Sequence, residues 1–383
     1  MKRQIGRWKP NTILAKNERP KVLENFKSFI TEAKEEPYKL VIISHDDPLD
    51  PNETGVLIRD HAKELGIEVY LAEFMGCYLE DTKNDNKLLY TYHVDKDGKA
   101  ELPTMKKDSE YSEPILMNPK NTLVMVRGLN AKDGCASWWI MARTLEHAGF
   151  KLINSVKCND VCNNKWYNQM MFQRYDINTP EGYLIRHSEG AADAAEKLNN
   201  KYPMILKTSI GSQGIGVMWI ESKKALSGIV QLLYREDPYI DIILQEYIKT
   251  SYDVRVIVAS GTIMGSMKRP IIEGDFRSNV SQGSEPEVFE LTELEKKETL
   301  RAVESVDGDI VGVDFIPAKD REKDRPYFIE VNSTPGLTGI EAAINKVKTS
   351  DNVSLKNKGK SITKDILNNM KSILSKYTLD KST

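Results

Sequence analysis

Two apolar segments carry carboxylates that a buried strand cannot leave unpaired. Residues 327–336 read Tyr-Phe-Ile-Glu-Val-Asn-Ser-Thr-Pro-Gly, and residues 312–316 read Gly-Val-Asp-Phe-Ile. Side chains alternate in direction along a strand, so Glu330 and Asn332 fall on one face. A carboxylate between Ile329 and Val331 must either find a partner or sit at a strand end in water. Asp314, delivered the same way by a second strand, completes a set of hard oxygen donors. Such a set suits Mg²⁺, which prefers carboxylates and substrate phosphates to a closed protein cage. The segments thus call for a sheet whose neighbouring strands aim polar groups into one cleft.

The 383 residues are 40% hydrophobic and 29% charged, with a net charge of −2. At roughly 150 residues per domain this is a chain of two or three domains with room for a large core. A balance so near neutrality gives no reason to expect direct nucleic-acid binding. The 5 histidines show no metal-ligand spacing, and of Cys77, Cys135, Cys158 and Cys162 only the last two are close. No second pair completes a zinc set, and scattered cysteines in a large chain fit reduced thiols in a cytoplasm. The opening Met-Lys-Arg-Gln-Ile-Gly-Arg-Trp is basic without the apolar core of a signal peptide. No apolar run approaches the ~20 residues of a membrane span, so the expectation is a cytoplasmic protein without a membrane partner.

The chain divides into blocks. Residues 1–38 form a polar, basic extension with one helix expected near Lys21–Lys34. Strands are expected at Lys39–Ser44, Ile67–Phe74, Asn121–Val126 and Lys151–Asn154, with helices at Thr54–Leu65 and Ser137–Ala148 ended by Gly66 and Gly149. This alternation implies a parallel, Rossmann-like sheet. No Gly-x-Gly-x-x-Gly follows the first strand, which argues against a dinucleotide there. The charged stretch near 80–120 reads as an insert with a small hairpin.

From about 156 the pattern changes. A helix at Asn159–Tyr175, a strand after Gly182, a helix at 188–200 and a strand at Met204–Thr208 lead into Ile210-Gly-Ser-Gln-Gly-Ile-Gly-Val217. Gly211, Gly214 and Gly216 would let backbone N–H groups approach phosphate oxygens. No Gly-Lys-Ser/Thr follows, so this is not a Walker loop, and a plain glycine-rich hairpin fits the same pattern. Lys207, on the preceding strand, favours the phosphate reading. Further on, Val254–Val258 and Thr262–Met267 read as a hairpin through Ser260-Gly261, placing Arg255 and Arg269 near opposite ends of the paired strands. In the lysine-rich tail, Ile362, Ile366, Leu367, Met370, Ile373 and Leu374 fall at helical spacing. A helix docked on the body explains them, and a partner-binding helix is the alternative.

Taken in order, Lys207, the Gly-Ser-Gln-Gly-Ile-Gly loop, Gln245-Glu-Tyr-Ile248, Asp253-x-Arg255, Gly274-Asp-Phe-Arg-Ser-Asn279, Gly312-Val-Asp314 and Glu330-Val-Asn332-x-x-Pro335-Gly336 form one pattern. It resembles the ATP-grasp ligases, and among them the RimK-type ribosomal protein S6–glutamate ligases. The resemblance covers roughly residues 39–345 and is strongest from about 200 to 341. It implies an α/β and α+β architecture: a Rossmann-like pre-ATP-grasp domain at 39–155, then a two-lobed ATP-grasp fold at 156–345. The small lobe would span about 180–245, the large lobe about 246–345, and the basic tail 346–383.

The resemblance also implies roles. Lys165 and Lys207 would touch ATP phosphates or the adenine edge, with Gly211, Gly214 and Gly216 over the phosphates. Glu246 and Tyr247 would lie in the hinge that reads adenine, and Asp253 near the ribose. Arg277, Ser278 and Asn279 would line the phosphate end, and Asp314, Glu330 and Asn332 would bind Mg²⁺, or Mn²⁺ in its place. Arg255, Arg269 and Arg277 are the catalytic candidates, holding a carboxylate or the transferred phosphoryl group, while a surface ion pair is the alternative for Arg255 and Arg269.

The implied chemistry suits this inventory. A carboxylate becomes an acyl donor once ATP phosphorylates it, and an amine then displaces phosphate. Such a reaction needs alignment and charge neutralisation, not a protein nucleophile. No Ser-His-Asp or Cys-His signature is present. By resemblance the amine is glutamate and the carboxylate is a protein or peptide C-terminus, with a ribosomal protein among the candidates and a homo-oligomer as the expected assembly. The alternatives are a small-molecule ligase of the same fold and an ATP-binding regulatory protein without ligation, as in the synapsins.

Overall fold

The computed structural model describes residues 38–44, 53–73, 77–81, 87–90, 115–127, 136–211, 216–271, 286–349 and 361–380. The helix expected near Lys21–Lys34 lies outside the described residues. The first block opens with β1 (Lys39–Ser44), α1 (Glu53–Glu64) and β2 (Glu68–Glu73). Gly66, at φ +70°, turns the chain out of α1 in a conformation that a side chain resists. A small antiparallel sheet follows, built from β3 (Tyr78–Asp81), β4 (Lys87–Tyr90) and β5 (Ile115–Met117), and it includes the hairpin expected in the charged insert. Then come β6 (Thr122–Arg127), α2 (Ala136–His147) and β7 (Lys151–Ile153). Strands β1, β2, β6 and β7 pair in parallel in the order β2-β1-β6-β7. The continuous burial of Leu40 to Ile43 suits a parallel sheet covered on both faces.

The expected helix at Asn159–Tyr175 is instead two helices, α3 (Val156–Asn163) and α4 (Lys165–Arg174). Asn164 between them is extended, at φ −116° and ψ 110°, and its side chain accepts a hydrogen bond from the Tyr167 N–H. Apolar spacing runs through both helices, but an asparagine that can cap the second one breaks the rod. The break brings the Lys165 backbone N–H within 2.8 Å of the Ser209 carbonyl, and so carries Lys165 to the glycine-rich segment.

Beyond it lie β8 (Gly182–Ile185), α5 (Ser188–Lys197), β9 (Met204–Thr208), β10 (Val217–Ile220), α6 (Lys223–Glu236) and β11 (Ile242–Glu246). The four strands form an antiparallel sheet in the order β10-β9-β11-β8, with a core of its own including Ala191, Leu206, Leu226, Val230 and Leu244. The next sheet is assembled from β12 (Tyr252–Ala259), β13 (Thr262–Pro270), β14 (Glu287–Val288), β15 (Ile310–Ile316) and β16 (Tyr327–Asn332), in the order β14-β13-β12-β15-β16. Helix α7 (Glu293–Val306) covers it, started by a capping box in which Thr292 and Glu295 satisfy each other's backbone N–H groups. Next comes α8 (Thr338–Thr349).

The tail helix α9 (Ile362–Asp380) docks on the body, as its spacing suggested. Ile362, Ile366, Leu367, Met370, Ile373 and Leu374 are buried in one core with Leu40 and Ile42 of the parallel sheet and Ile257 and Met267 of the β12–β13 hairpin. Asn154 is a second tie between the two sheets. Fully buried, it donates to the Ile310 and Ser333 carbonyls at 2.7 and 2.5 Å and accepts from the Asp309 and Ile310 N–H groups at 2.7 and 2.9 Å. Asn154→Ala should therefore strand several buried polar groups and cost about 3 kcal/mol, read from the urea midpoint of unfolding. An unchanged midpoint would mean that this tie contributes nothing to stability.

Candidate active site

The sheet register assembles the acidic set. Gly312 lies opposite Asn332 and Asp314 opposite Glu330 on β15 and β16, while Arg255 on β12 lies opposite Asp314. The Asn332 amide nitrogen sits 3.1 Å from Glu330 Oε1 and 3.5 Å from Asp314 Oδ2. Glu330, Asn332 and Asp314 thus converge as their spacing suggested.

The arginines are arranged differently from expectation. Asp253 pairs with Arg269 across the hairpin, and Arg255 is two residues along on the same strand. Both arginines therefore stand at the same, open end of the hairpin, because the turn at Ser260-Gly261 leaves both strand ends far from it. They are not exposed ion pairs. Arg255 grips Asp314 with two bonds, Nε to Oδ1 at 2.7 Å and Nη2 to Oδ2 at 2.6 Å. Arg269, 4% exposed, does the same to Asp253 at 2.7 and 2.5 Å and also reaches Asp314 Oδ2 at 3.0 Å. Burial alone would raise the Asp314 carboxyl, yet Arg255 and Arg269 outweigh it and hold the group below the usual carboxylate range.

Lys207 and Lys165 approach the same place from β9 and α4. The Lys207 Nζ donates to Gln245 Oε1 at 2.6 Å, and the Lys165 Nζ donates to the Gly211 carbonyl. Burial pulls the Lys207 ammonium down to about 8, opposed by the charge of Glu330 and reinforced by that of Lys165. Gln245 also donates to the Pro180 carbonyl at 3.2 Å and to Gln169 at 3.4 Å. Neither glutamine was singled out for this function, and only the position of Gln245 beside Glu246 on an otherwise apolar strand hinted at it. Glu246 ends β11, with its carboxylate accepting from the Glu181 N–H at 2.9 Å. The Tyr247 ring meets Trp219 edge-on at 4.7 Å between centroids, an apolar wall that the sequence reading missed. Gly216, at φ +81°, packs so closely on Thr208 that a Cβ there would lie 2.4 Å from the threonine Oγ1. Gly214, Arg277, Ser278 and Asn279 lie outside the described residues.

The donor set fits magnesium. Among the described residues no group of three or more His, Cys, Asp or Glu side chains gathers as a metal cage. Two carboxylates and an amide leave coordination positions for phosphate oxygens and water, as Mg²⁺ requires.

The family described as RimK-like ATP-grasp domain matches residues 162–351. A protein named probable alpha-L-glutamate ligase 2 from Pseudoalteromonas atlantica is 30% identical over 208 residues, covering 54% of this chain and 67% of its own. A probable alpha-L-glutamate ligase from a Marinomonas species is 28% identical over 288 residues, 74% of this chain and 84% of that one. Among solved structures, the ATP-grasp ligase PsnB complexed with a phosphomimetic variant of its minimal precursor, Mg and ADP superposes with a TM-score of 0.57 at 14% identity, covering 90% and 100% of the two chains. D-alanine–D-alanine ligase from Bacillus anthracis, complexed with ATP, superposes with a TM-score of 0.54 at 15% identity over 88% and 99%. The fold is that of an ATP-grasp enzyme. More narrowly, the chain belongs to the RimK-type ATP-grasp family, carboxylate–amine ligases that use ATP and Mg²⁺.

The depressed Lys207 ammonium gives a signed expectation. Below about pH 8 Lys207 is charged, and an ATP phosphate meeting it above that pH would require the free protein to take up a proton. ATP affinity should then fall by up to about tenfold per pH unit above pH 8. Calorimetric titration should show proton uptake there, and Lys207→Arg should flatten the profile. A wild-type affinity independent of pH between 7 and 9.5 would remove Lys207 from the phosphate site.

Proposed function

We propose that this enzyme joins glutamate to the C-terminal carboxylate of a protein or peptide, by way of an acyl phosphate. The observation that carries the reading is that two relatives matched over most of their length are both named "probable alpha-L-glutamate ligase". PsnB, which shares the fold, was also solved with a precursor peptide, so this architecture can accept a polypeptide.

In the proposed reaction the acceptor carboxylate attacks the γ-phosphorus of ATP and ADP leaves. The amine of glutamate then attacks the acyl carbon, phosphate leaves and an amide remains. Mg²⁺ supplies charge neutralisation at the phosphates when bound, held by Asp314, Glu330 and Asn332. Lys207, from the small-lobe sheet, and Lys165, from the start of α4, neutralise phosphate charge. Arg255 is half-buried, and its Nη1 makes no hydrogen bond among the described residues. Among the described residues it is the guanidinium best placed to meet a substrate carboxylate or the transferred phosphoryl group. Arg269, committed to two aspartates, holds Asp314 and Asp253 in position. In this reading Arg277, Ser278 and Asn279 serve the phosphate end and Glu246 and Tyr247 the adenine.

Two tests follow. Incubation of candidate acceptor proteins and peptides with ATP, Mg²⁺ and single amino acids should give intact-mass increments of one or more glutamate residues. Glutamine should serve poorly, because it leaves a buried cation unpaired. Equal incorporation of glutamine, alanine and glutamate would exclude a glutamate pocket. Amide formation only between free amino acids would assign the chain to small-molecule ligation, and no stimulation of ADP release by any pair would make it a nucleotide-binding protein.

Glu330→Gln should abolish turnover while leaving the far-ultraviolet circular dichroism intact, since it removes a negative metal ligand on a half-buried strand. Near-normal turnover in the folded variant would end the metal assignment.

A further inference from the structure

The chemistry of its partners fixes how Gln245 faces Lys207. An ammonium can only donate, and a proline carbonyl can only accept. The Gln245 Oε1 therefore accepts from the Lys207 Nζ at 2.6 Å, and its Nε2 donates to the Pro180 carbonyl at 3.2 Å and to Gln169 Oε1 at 3.4 Å. Gln169 Nε2 in turn donates to the same carbonyl at 3.4 Å. Both glutamines are buried. Gly182 makes room for them, since a Cβ there would lie 3.2 Å from Gln169 Nε2 and 3.3 Å from Gln245 Cγ. Neither amide can turn over without setting nitrogen against nitrogen and oxygen against oxygen.

What this chain of amides presents to Lys207 is a neutral oxygen. The charged groups that face the ammonium among the described residues are Glu330, on β16, and Lys165, on α4, and they act in opposite senses. A carboxylate at position 245 would hold the lysine too, but would cancel the charge that a phosphate needs. An apolar side chain there would leave the ammonium without a partner to aim it. The segment bearing Pro180 is itself tied to the strand of Gln245. One residue further on, the Glu246 N–H donates to the Glu181 carbonyl and the Glu181 N–H to the Glu246 carboxylate, each at 2.9 Å.

We propose that Gln245 is a positioning residue for ATP, which acts by aiming the Lys207 ammonium at phosphate, and that Gln169 supports it by locking the direction of its amide. This role rests on Lys207 meeting phosphate, as in the reaction proposed above. It adds that the partner of the lysine is an amide because an amide orients the cation without neutralising it.

ATP binding to the full chain with Mg²⁺, followed by calorimetry from about pH 6 to about pH 9.5, tests the assignment through its pH profile. In Gln245→Glu the new carboxylate pairs with the ammonium. ATP should bind about tenfold more weakly at neutral pH, and the alkaline loss of affinity should begin about one pH unit higher than in the wild type. In Gln245→Leu the ammonium loses its acceptor, and the alkaline loss should begin about one pH unit lower. Gln169→Leu should move the profile in the same direction as Gln245→Leu, by less. The two substitutions at 245 pull in opposite directions, so either one that folds decides the matter. Weaker binding by the same factor at every pH, with the onset unmoved, would make the glutamines merely structural and overturn the proposal. Lys207→Ala, measured alongside, separates the two ways to fail. Intact ATP affinity in that variant would remove the phosphate role of Lys207 and the positioning role with it. Damaged affinity there beside wild-type profiles in the glutamine variants would overturn the positioning role alone.

Discussion

The charge lattice at the open end of the β12–β13 hairpin is what the rest of this structure depends on. Asp253, Arg269, Arg255 and Asp314 alternate in sign across three neighbouring strands and are largely removed from water. Each ion alone would be strongly penalised there, and paired and hydrogen-bonded the four are tolerated. The arrangement requires one strand order and one register. A slip of β12 by a single residue would turn Arg255 to the opposite face and leave Asp314 facing apolar neighbours. Two bidentate arginine–carboxylate grips therefore specify the sheet as much as they stabilise it, and they deliver Asp314 as a charged carboxylate beside Glu330 and Asn332.

This cluster meets opposite charge from another sheet. Lys207 lies on β9, in the middle of the small-lobe sheet, and Glu330 on β16 at the edge of the large one, yet the charge of Glu330 is felt at Lys207. The cation is kept partly desolvated, which is costly for the protein alone and favourable once phosphate charge arrives. Gln245 steadies it with a neutral oxygen, so Lys207 is oriented without its charge being cancelled. A carboxylate in place of Gln245 would orient the lysine equally well but would compete with the nucleotide for it.

How much of this was legible in the sequence follows from the range of each interaction. The bounds of β1 and β9 could be read directly, because short buried strands announce themselves by composition alone. The convergence of Asp314, Glu330 and Asn332 was legible too, since strand alternation fixes facing. The break at Asn164 was not, because the same residues satisfy a continuous helix until the Ser209 carbonyl offers Lys165 another partner. Nor was the ion pairing of Arg255 and Arg269: motif spacing names residues that gather but not which of them neutralise each other. The four-way bonding of Asn154 depends on carbonyls and amides more than 150 positions away, a separation at which local pattern carries no information.

The distribution of cores decides which part of the cleft can move. The parallel sheet, the β12–β13 hairpin and α9 share one continuous apolar cluster, and Asn154 bolts its edge to β15 and the segment after β16. Displacing either sheet against the other would open that cluster to water. The sheet bearing Lys207 has a separate core, with α5 and α6 packed on it. Its links to the large lobe and to α4, which packs on that lobe, run through the polar Gln245–Gln169 contact, the Lys165 hydrogen bonds to the Ser209 and Gly211 carbonyls and the segment after β11. Rotating it as a body exposes little apolar surface and exchanges only hydrogen bonds that water can replace. A relative motion of the two lobes therefore costs least as a swing of the small-lobe sheet about the residues following Glu246, which would carry Lys207 toward a fixed platform of Asp314, Glu330 and Asn332.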